Sequence, residues 1–216
     1  MERSWSMETV RIKRIAEKVR NVSVALYRIG VFRPFRNENR LAGNIGPNVR
    51  EWKSRAELAM RILADVKLGS GQRVADYGCG RQTLRTLLPP DWTYTPFDYC
   101  ARSNDTRIVD FNTSFPSGDF DAIFILGVLE YLNRPTELLA HALRHARFLV
   151  FSYNFLGEHE RREREGWISC LDFKDIDNTM VSCGETVGRS HIGKNQWVYL
   201  CRGGLSQPGR TAGDEG

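Results

Sequence analysis

The sequence lacks the features that mark secreted, membrane-spanning and zinc-binding proteins. Its five cysteines are scattered and no two form a CxxC pair, which argues against a zinc site or a disulfide framework and favours a reducing cytoplasm. No apolar run approaches the roughly 18 residues of a membrane-spanning helix. The N-terminus also lacks the basic, apolar and small-residue order of a signal peptide. We therefore expect a soluble, cytoplasmic protein.

Excess positive charge is missing from most of the chain. The formal net charge is +5, but residues 1–55 carry +8, which leaves −3 for the rest. A protein dedicated to nucleic acid usually presents an even basic face, so nucleic acid is not an expected partner. Of the 216 residues, 41% are hydrophobic and 26% are charged, which is typical of a globular domain that can bury a core.

Residues 10–29 carry apolar side chains at alternating spacings of three and four residues, which predicts a stripe along one helix. The stripe consists of Ile12, Ile15, Val19, Val22, Leu26 and Ile29. Most of the basic residues in this segment lie off the stripe. Three interpretations are open: the helix packs on the core or on a second copy in a homodimer, it binds an anionic surface such as the inner membrane, or the arm is disordered.

After residue 51, strand and helix patterns alternate. Helices are predicted over residues 52–67, 81–88, 134–146 and 171–184. Strands are predicted over residues 73–78, 92–98, 106–111, 120–127, 147–154, 185–192 and 196–202. This order predicts an α/β fold with a doubly wound, mostly parallel, seven-stranded Rossmann-like sheet, an antiparallel last strand and an N-terminal helical arm. The predicted domains are a basic helical arm and linker at 1–51, the α/β domain at 52–202 and a disordered tail at 203–216.

One connection in this pattern is unusually short. Only eight residues, Tyr99 to Thr106, separate the second and third predicted strands, whereas a parallel crossover usually needs about a dozen or more. Either the helix expected there is vestigial, or the strand boundaries differ by a few residues.

The segment RVADYGCGRQTL, residues 73–84, combines a strand, a glycine turn and a helix start. At the carboxyl end of such a strand, Gly78 and Gly80 would let a ligand approach backbone N–H groups. Asp98 ends the next predicted strand, where a carboxylate can bind both hydroxyls of a ribose, each charge-assisted bond contributing about 1.5–3 kcal/mol. These features are shared by dinucleotide sites and S-adenosylmethionine sites.

Three further features favour S-adenosylmethionine over a dinucleotide. The position of the third glycine in dinucleotide sites holds Gln82. The third predicted strand runs to Asp110, where a carboxylate can meet an adenine amino group. The fourth predicted strand opens the segment FDAIFILGVLEYL.

Residues 73–154 resemble the class I S-adenosylmethionine-dependent methyltransferases. VADYGCG resembles the first motif of that family, PFD its ribose-binding acid, and FDAIFILGVLEYL its fourth-strand motif with the turn that follows. The resemblance implies S-adenosylmethionine as cofactor, S-adenosylhomocysteine as product, and cofactor contacts at Asp76, Gly78, Gly80, Gln82, Asp98, Asp110, Leu126 and Gly127. Gln82 departs from the family pattern, and its side chain either narrows the site or hydrogen-bonds the cofactor.

The segment FSYNFLGEHERREREGWISCLDFKDI, residues 151–176, is similar to small methyltransferase-like proteins of bacterial surface-glycan clusters and to the MetW-like group. This resemblance implies a small-molecule, sugar or lipid-linked acceptor, and with it a role in polysaccharide biosynthesis.

Glu130, Tyr153 and Asn154 are the candidate catalytic residues, because they follow or end the fourth and fifth predicted strands. Methyl transfer from a sulfonium mainly requires alignment of the nucleophile, and a base is needed only for a hydroxyl or a protonated amine. His141 and His145 have the spacing of helical metal ligands, but the sequence offers no third ligand near them, so no metal site is predicted.

The leading hypothesis is S-adenosylmethionine-dependent methyl transfer to oxygen or nitrogen of such an acceptor. The alternative is a catalytically degenerate protein with the methyltransferase fold that supports a partner enzyme, with Gln82 as its marker. A dinucleotide-dependent oxidoreductase comes third, because no set of residues resembles its catalytic group.

Overall fold

The computed structural model describes residues 49–155, 166–192 and 195–205, and these form one sheet with flanking helices. The helices are α1 (Val49–Ala64), α2 (Pro135–Arg144) and α3 (Phe173–Cys183). The strands are β1 (Arg73–Tyr77), β2 (Thr93–Asp98), β3 (Arg107–Ile108), β4 (Phe120–Ile125), β5 (Ala146–Asn154), β6 (Glu185–Ile192) and β7 (Gln196–Arg202). Short 3₁₀ turns occupy Leu84–Leu87 and Leu129–Tyr131.

The seven strands lie in the order β3-β2-β1-β4-β5-β7-β6. Pairing is parallel from β3 through β5, and β7 is antiparallel to both of its neighbours. The prediction of a doubly wound, mostly parallel sheet with an antiparallel last strand is therefore confirmed. The strand order reverses between β1 and β4, and ligands of such sheets bind in the crevice at the carboxyl ends of the strands beside that reversal.

The strands contribute to two apolar layers, one on each face of the sheet. Ala75 of β1 belongs to the layer that contains Leu139 of α2 and Ile176 of α3. Its neighbour Val74 belongs to the opposite layer, which contains Leu63 of α1. Successive side chains of a strand point to opposite faces, so one short buried strand serves both layers.

The connection between β2 and β3 contains no helix. Residues 99–106 form bends and a turn, and β3 pairs in parallel with β2 through Phe97 opposite Arg107 and Asp98 opposite Ile108. The first of the two explanations from the sequence is correct, since the crossover helix is missing. The strand that follows is also shorter than predicted, with two paired residues.

The helix predicted over residues 81–88 is wrong, because this segment forms only the 3₁₀ turn Leu84–Leu87. Gln82 has a φ of 55°, which an α-helix cannot contain, so no helix can begin before Thr83. Leu88 has an extended conformation, as expected of a residue that precedes proline. Too few residues remain between these two limits for an α-helix.

Helix α1 begins and ends about one turn earlier than the predicted range of 52–67. Its last turn tightens, since Val66 N donates to the carbonyl oxygen of Leu63 at 3.2 Å and Lys67 N to that of Ala64 at 3.1 Å. Lys67 then has a φ of 48°, a left-handed conformation that ends the helical turns.

The basic arm with its stripe over residues 10–29 lies outside the described residues, as does the tail beyond residue 205. The predictions of a homodimer and of a membrane contact through that arm therefore stay predictions. None of the helices in the described part of the chain is long and apolar enough to cross a membrane.

Candidate active site

The turn after β1, residues 78–80, is the centre of the candidate site and is named the glycine turn. Gly78 N and Cys79 N donate to the carbonyl oxygen of Phe97 at 2.8 and 3.0 Å. Gly80 N donates to Asp98 Oδ2 at 2.9 Å. These N–H groups bind the end of β2, which corrects the expectation that they face a ligand. The turn can still offer a ligand close approach to backbone atoms.

Neighbouring side chains make two glycines at this edge necessary. Gly78 has a φ of 82°, and a Cβ there would overlap Cγ2 of Val128, which follows β4. Gly127 has a φ of 73°, and a Cβ there would overlap Nη1 of Arg55. Positive φ values disfavour other residues, so geometry and space both require glycine. The carboxyl ends of β1 and β4 thus meet in close contact.

Gln82 is the residue that departs from the family pattern and that marks the alternative of a degenerate site. Its φ of 55° is the left-handed conformation that glycine adopts easily. Its side-chain amide nitrogen donates to Ser103 Oγ, and its amide oxygen accepts from Arg85 Nη1 at 3.1 Å. Arg85 Nη1 also lies 2.8 Å from Asp105 Oδ2. The Gln82 side chain therefore holds the connection between β2 and β3.

Asp98, the predicted ribose ligand, is 5% exposed and already binds protein groups. Besides Gly80 N at 2.9 Å, its carboxylate accepts from Cys100 N at 3.3 Å, and its Oδ1 lies 3.3 Å from Nε of Arg102. The thiols of Cys79 and Cys100 also contact it, with their sulfurs 4.0 and 3.9 Å from its oxygens, so a ribose hydroxyl would have to share or displace one of these contacts. Its contact with a ribose stays a prediction.

Asp76 lies beneath the glycine turn and is 4% exposed. Its Oδ2 accepts a hydrogen bond from the Tyr94 hydroxyl at 2.7 Å. Burial raises the pKa of Asp76 to about 7, because desolvation disfavours the charged form; the hydrogen bond from Tyr94 lowers the pKa by less, and the negative charge of the nearby Asp98 raises it further. A proton on Asp76 is therefore easily gained and lost near neutral pH.

Asp110 and Leu126 lie at the same edge of the sheet, after β3 and β4. Asp110 is half-buried, and its Oδ1 accepts from Asn112 N at 3.0 Å, which closes a local turn. Leu126 is half-buried and packs on the apolar layer that contains α1. These positions do not test the predicted contact of Asp110 with the adenine or that of Leu126 with the pocket floor.

Glu130 and Asn154 are brought together across the ends of β4 and β5. Glu130 is 2% exposed, and its Oε1 accepts from the backbone N of Asn154 at 3.0 Å. The Glu130 carbonyl oxygen accepts from Ile168 N at 2.8 Å and from Ser169 N at 3.1 Å. Its burial excludes a solvated position for this carboxylate, and the side chain and backbone of Glu130 together join three segments of the chain.

Tyr153 points into the apolar layer on the α2 and α3 face and is fully buried. Its hydroxyl lies 3.0 Å from Ser169 Oγ and accepts from Leu171 N at 2.8 Å. The hydroxyl therefore fixes the segment before α3. The structure does not bring it together with Asn154 at one site. A catalytic role for Tyr153 stays a prediction, and the geometry gives it a structural one.

Metal-binding clusters are absent from the residues that the structure describes: no three His, Cys, Asp or Glu side chains come together there. His141 Nε2 lies 2.9 Å from the Pro116 carbonyl oxygen, and His145 Nδ1 lies 2.9 Å from Asp119 Oδ1. The histidine pair thus binds the chain that leads into β4, at the amino edge of the sheet.

A family model for the methyltransferase domain matches residues 51–180, which is more than half of the chain. The chain belongs to this methyltransferase family. The resemblance to class I S-adenosylmethionine-dependent methyltransferases is confirmed, whereas the surface-glycan or MetW-like subtype is not tested. A comparison with curated protein sequences found no significant match.

Solved structures of methyltransferases share the fold of this domain. Magnesium protoporphyrin IX methyltransferase of Synechocystis with bound S-adenosylhomocysteine has a TM-score of 0.56 at 16% identity, over 77% of this chain and 92% of that one. The N-methyltransferase NodS of Bradyrhizobium japonicum, also with S-adenosylhomocysteine, has a TM-score of 0.55 at 16% identity, over 77% and 93%. A methyltransferase of Haloferax volcanii in complex with a methyltransferase activator has a TM-score of 0.56 at 13% identity, over 73% and 96%.

The residues of the methyltransferase domain fit the adenosyl cofactor of its family. Apart from its chain neighbours, no atom lies closer than 3.9 Å to where a Cβ of Gly80 would be, so a ligand can approach the glycine turn there, and the Asp98 carboxylate lies beside it, 2.9 Å from Gly80 N. S-adenosylmethionine is the cofactor of this family, which confirms the cofactor predicted from the motifs.

Two residues of the methyltransferase domain at this edge were missed by sequence reasoning. Trp52 and Arg55 of α1 reach the glycines, with a Trp52 ring carbon 3.9 Å from where a Cβ of Gly80 would lie. A signal was available, because Arg55 lies at helical spacing from Ala59 and Leu63, on the buried stripe of α1. A cation on such a stripe is an exception that needs a partner.

Proposed function

We propose that this protein transfers a methyl group from S-adenosylmethionine to an oxygen or nitrogen atom of a small-molecule, sugar or lipid-linked acceptor. The observation that carries this proposal is the conformation of Gln82. Its backbone has the left-handed φ of a glycine, and its amide binds Ser103 and Arg85. The departure from the family pattern therefore leaves the shape of the glycine turn intact. One similar structure is named as a magnesium protoporphyrin IX methyltransferase, which supports a small-molecule acceptor. Another is named as an N-methyltransferase, which supports a nitrogen acceptor atom.

The reaction needs alignment more than acid–base chemistry. When bound, S-adenosylmethionine supplies an electrophilic methyl group on a sulfonium. The protein then has to hold the acceptor atom in line behind that methyl group, and such orientation can contribute about 7–11 kcal/mol. The glycine turn and Asp98 would hold the adenosyl side, and the ends of β4 and β5 would hold the acceptor.

Glu130 has two proposed roles that a single substitution separates. As a general base, it would take a proton from an acceptor hydroxyl or ammonium. As a positioning residue, it would fix Asn154 through the hydrogen bond at 3.0 Å, and the Asn154 side chain would meet the acceptor. Glu130→Gln keeps an oxygen that can accept that hydrogen bond and removes the base. If Glu130 is the base, kcat should fall steeply and lose its pH dependence. If Glu130 only positions Asn154, both should stay close to the wild type.

The alternative function, a degenerate scaffold for a partner enzyme, is favoured by one observation. Asp98 already binds Gly80, Cys100 and Arg102, so a ribose would have to share a carboxylate that is in use. One similar structure is a complex of a methyltransferase with a methyltransferase activator, which supports protein partners for this fold, although there the methyltransferase is the activated member. In this case the protein would fold normally and bind no adenosyl ligand.

Calorimetric titration of the full-length protein with S-adenosylmethionine and S-adenosylhomocysteine tests both functions. We expect binding to the wild type and a large loss of affinity in Asp98→Ala. Asp119→Ala is the matched control, because it removes an exposed carboxylate at the opposite edge of the sheet. Folded wild-type protein that binds neither ligand would contradict the proposed function and support the scaffold.

We also propose that the protein acts in the cytoplasm, with the basic arm as a homodimer contact or as a peripheral contact with the inner membrane. The +8 charge of residues 1–55 supports an anionic surface as one partner of the arm. Sedimentation of the full-length protein gives its oligomeric state, and co-sedimentation with anionic and neutral vesicles at two salt concentrations tests the membrane contact. Binding that is equal for both kinds of vesicle would argue against an electrostatic contact.

A further inference from the structure

Arg55 of α1 is a fixed cation at the carboxyl edge of the sheet. When the amide of Gln196 presents its oxygen to Arg55, that oxygen accepts from both Nε and Nη2 at 3.2 Å. Gln196 begins β7 and is 6% exposed, so its position is set by the sheet. Two bonds to one buried acceptor fix the plane of the guanidinium.

The remaining nitrogen of that guanidinium, Nη1, points at the end of β4. It lies against Gly127, where a Cβ would overlap it. Gly127 itself is held in place, because its N donates to Ser152 Oγ of β5 at 2.9 Å. The glycine therefore makes room for the cation, directly beside the reversal of strand order between β1 and β4.

The positive charge of Arg55 lacks a carboxylate partner among the described side chains of residues 52–155, 166–192 and 195–205. The ion pairs found there join other residues. Arg55 is half-buried, and a charge removed partly from water is stabilised by an opposite charge. An anionic group of a ligand would supply that partner.

Trp52 lies three residues before Arg55, on the same side of α1, and reaches Gly80. One turn of α1 thus contacts the glycines that follow β1 and β4. The proposed cofactor carries a carboxylate at one end only, on its amino-acid portion. Arginine binds carboxylates through a planar fork of donors, and the edge formed by Nη1 and the second N–H of Nη2 is the fork that Gln196 leaves for a ligand.

We infer that Arg55 binds the α-carboxylate of S-adenosylmethionine, with Gln196 as the residue that orients it. This inference rests on the proposed function, because it assigns one end of the cofactor of that same site. Arg55 then selects adenosyl ligands that keep the amino-acid carboxylate.

Calorimetric titration of the full-length protein with S-adenosylmethionine and with its decarboxylated form tests this assignment. For the wild type we expect the decarboxylated ligand to bind about 10- to 100-fold more weakly, as for the loss of a charged hydrogen-bonded pair. In Arg55→Gln we expect the two ligands to bind alike, because the group that distinguishes them is gone. Arg61→Gln, which removes an exposed cation from the same helix, should keep the wild-type ratio.

A ratio of affinities that persists in Arg55→Gln would overturn the inference, as would an equal loss for both ligands, which indicates a structural role. A wild type that binds neither ligand would contradict the proposed function itself, so the two failures are distinguishable. If Arg55→Gln does not fold, the wild-type ratio and Arg55→Lys decide. Equal affinity of the wild type for both ligands, or a loss of affinity in Arg55→Lys that is equal for both ligands, would overturn the assignment.

Discussion

The two halves of the sheet on either side of the reversal between β1 and β4 are stabilised differently. In the half formed by β1, β2 and β3, a 3₁₀ turn and a helix-free loop replace the expected helices, and hydrogen bonds of Gln82, Asp98 and Arg85 hold the turns. In the half formed by β4, β5, β6 and β7, helices α2 and α3 bury apolar side chains such as Leu139. Polar contacts thus fix the turns at the site, in addition to the apolar layer that both halves share. Substitutions in the first half should therefore change the shape of the site more than they change the packing of the apolar core.

The largest effect on stability should come from the contact between Gly78, after β1, and Val128, after β4, which joins the two halves. Gly78→Ala should lower the free energy of unfolding by about 2–5 kcal/mol, because it combines a left-handed φ with overlap against Val128. Gly71→Ala is the matched control, since Gly71 has a φ of 68° and no atom within 4 Å of its Cβ position. It should lose only about 1–2 kcal/mol. Urea unfolding measures both, and equal losses would show that the Val128 contact is unimportant.

Two buried tyrosines, one in each half, offer the next comparison. Tyr153→Phe should destabilise by about 1–3 kcal/mol, because it removes the hydrogen bonds that the hydroxyl makes with Leu171 N and Ser169 Oγ. The Tyr77 hydroxyl has no hydrogen-bond partner within the described part of the chain, so Tyr77→Phe should be neutral or stabilising. Thermal and urea unfolding measure both variants. A larger loss for Tyr77→Phe would reverse the expected order.

The pH dependence of stability should reveal Asp76. Its folded pKa of about 7 lies above the ordinary value, so the folded state binds the proton more tightly than the unfolded state. The contribution of Asp76 is therefore complete below its unfolded pKa and lost as the pH rises through 7. Between about pH 5 and about pH 8 the wild type should lose about 2–3 kcal/mol relative to Asp76→Asn. Urea unfolding of both proteins at each pH measures this, and a difference independent of pH would refute the prediction.

The smallest effect should come from Gln82. Gln82→Ala and Gln82→Gly both remove the amide contacts to Ser103 and Arg85, but only glycine adopts the left-handed φ without strain. Gln82→Gly should therefore be more stable than Gln82→Ala by about 1 kcal/mol. Differential scanning calorimetry measures the difference. Equal stability would mean that the backbone at residue 82 relaxes when the side chain is removed.

Local patterns were sufficient to predict most of the elements. The seven strand segments, α2 and α3 follow from apolar runs, helical spacing and turn residues, and α3 also begins with Asp172 and Asp175 capping each other. The helix over residues 81–88 was predicted from the same kind of pattern and is wrong. Its failure arises from a single left-handed residue, Gln82, which composition and periodicity do not indicate.

The candidate site also contains features that local patterns predict and features that they do not. The glycine turn, Asp98 and the pair Glu130 and Asn154 were predicted from their positions after strands, because parallel strands bring their carboxyl ends to one edge, and their roles stay predictions. The burial of Glu130 and the structural use of the Tyr153 hydroxyl were not predicted. Both depend on segments near residue 169 that come close only in the folded chain.

The sequence by itself determined the sheet, its strand types and the family, since these depend on local periodicity and on short motifs. The tertiary structure alone decided how α1 lies across the carboxyl edge, with Arg55 between Gly127 and Gln196. It also decided that Gln82 binds the connection between β2 and β3. Such contacts join residues about 20 to more than 100 positions apart, and no local pattern encodes which distant residues meet when apolar surface is buried.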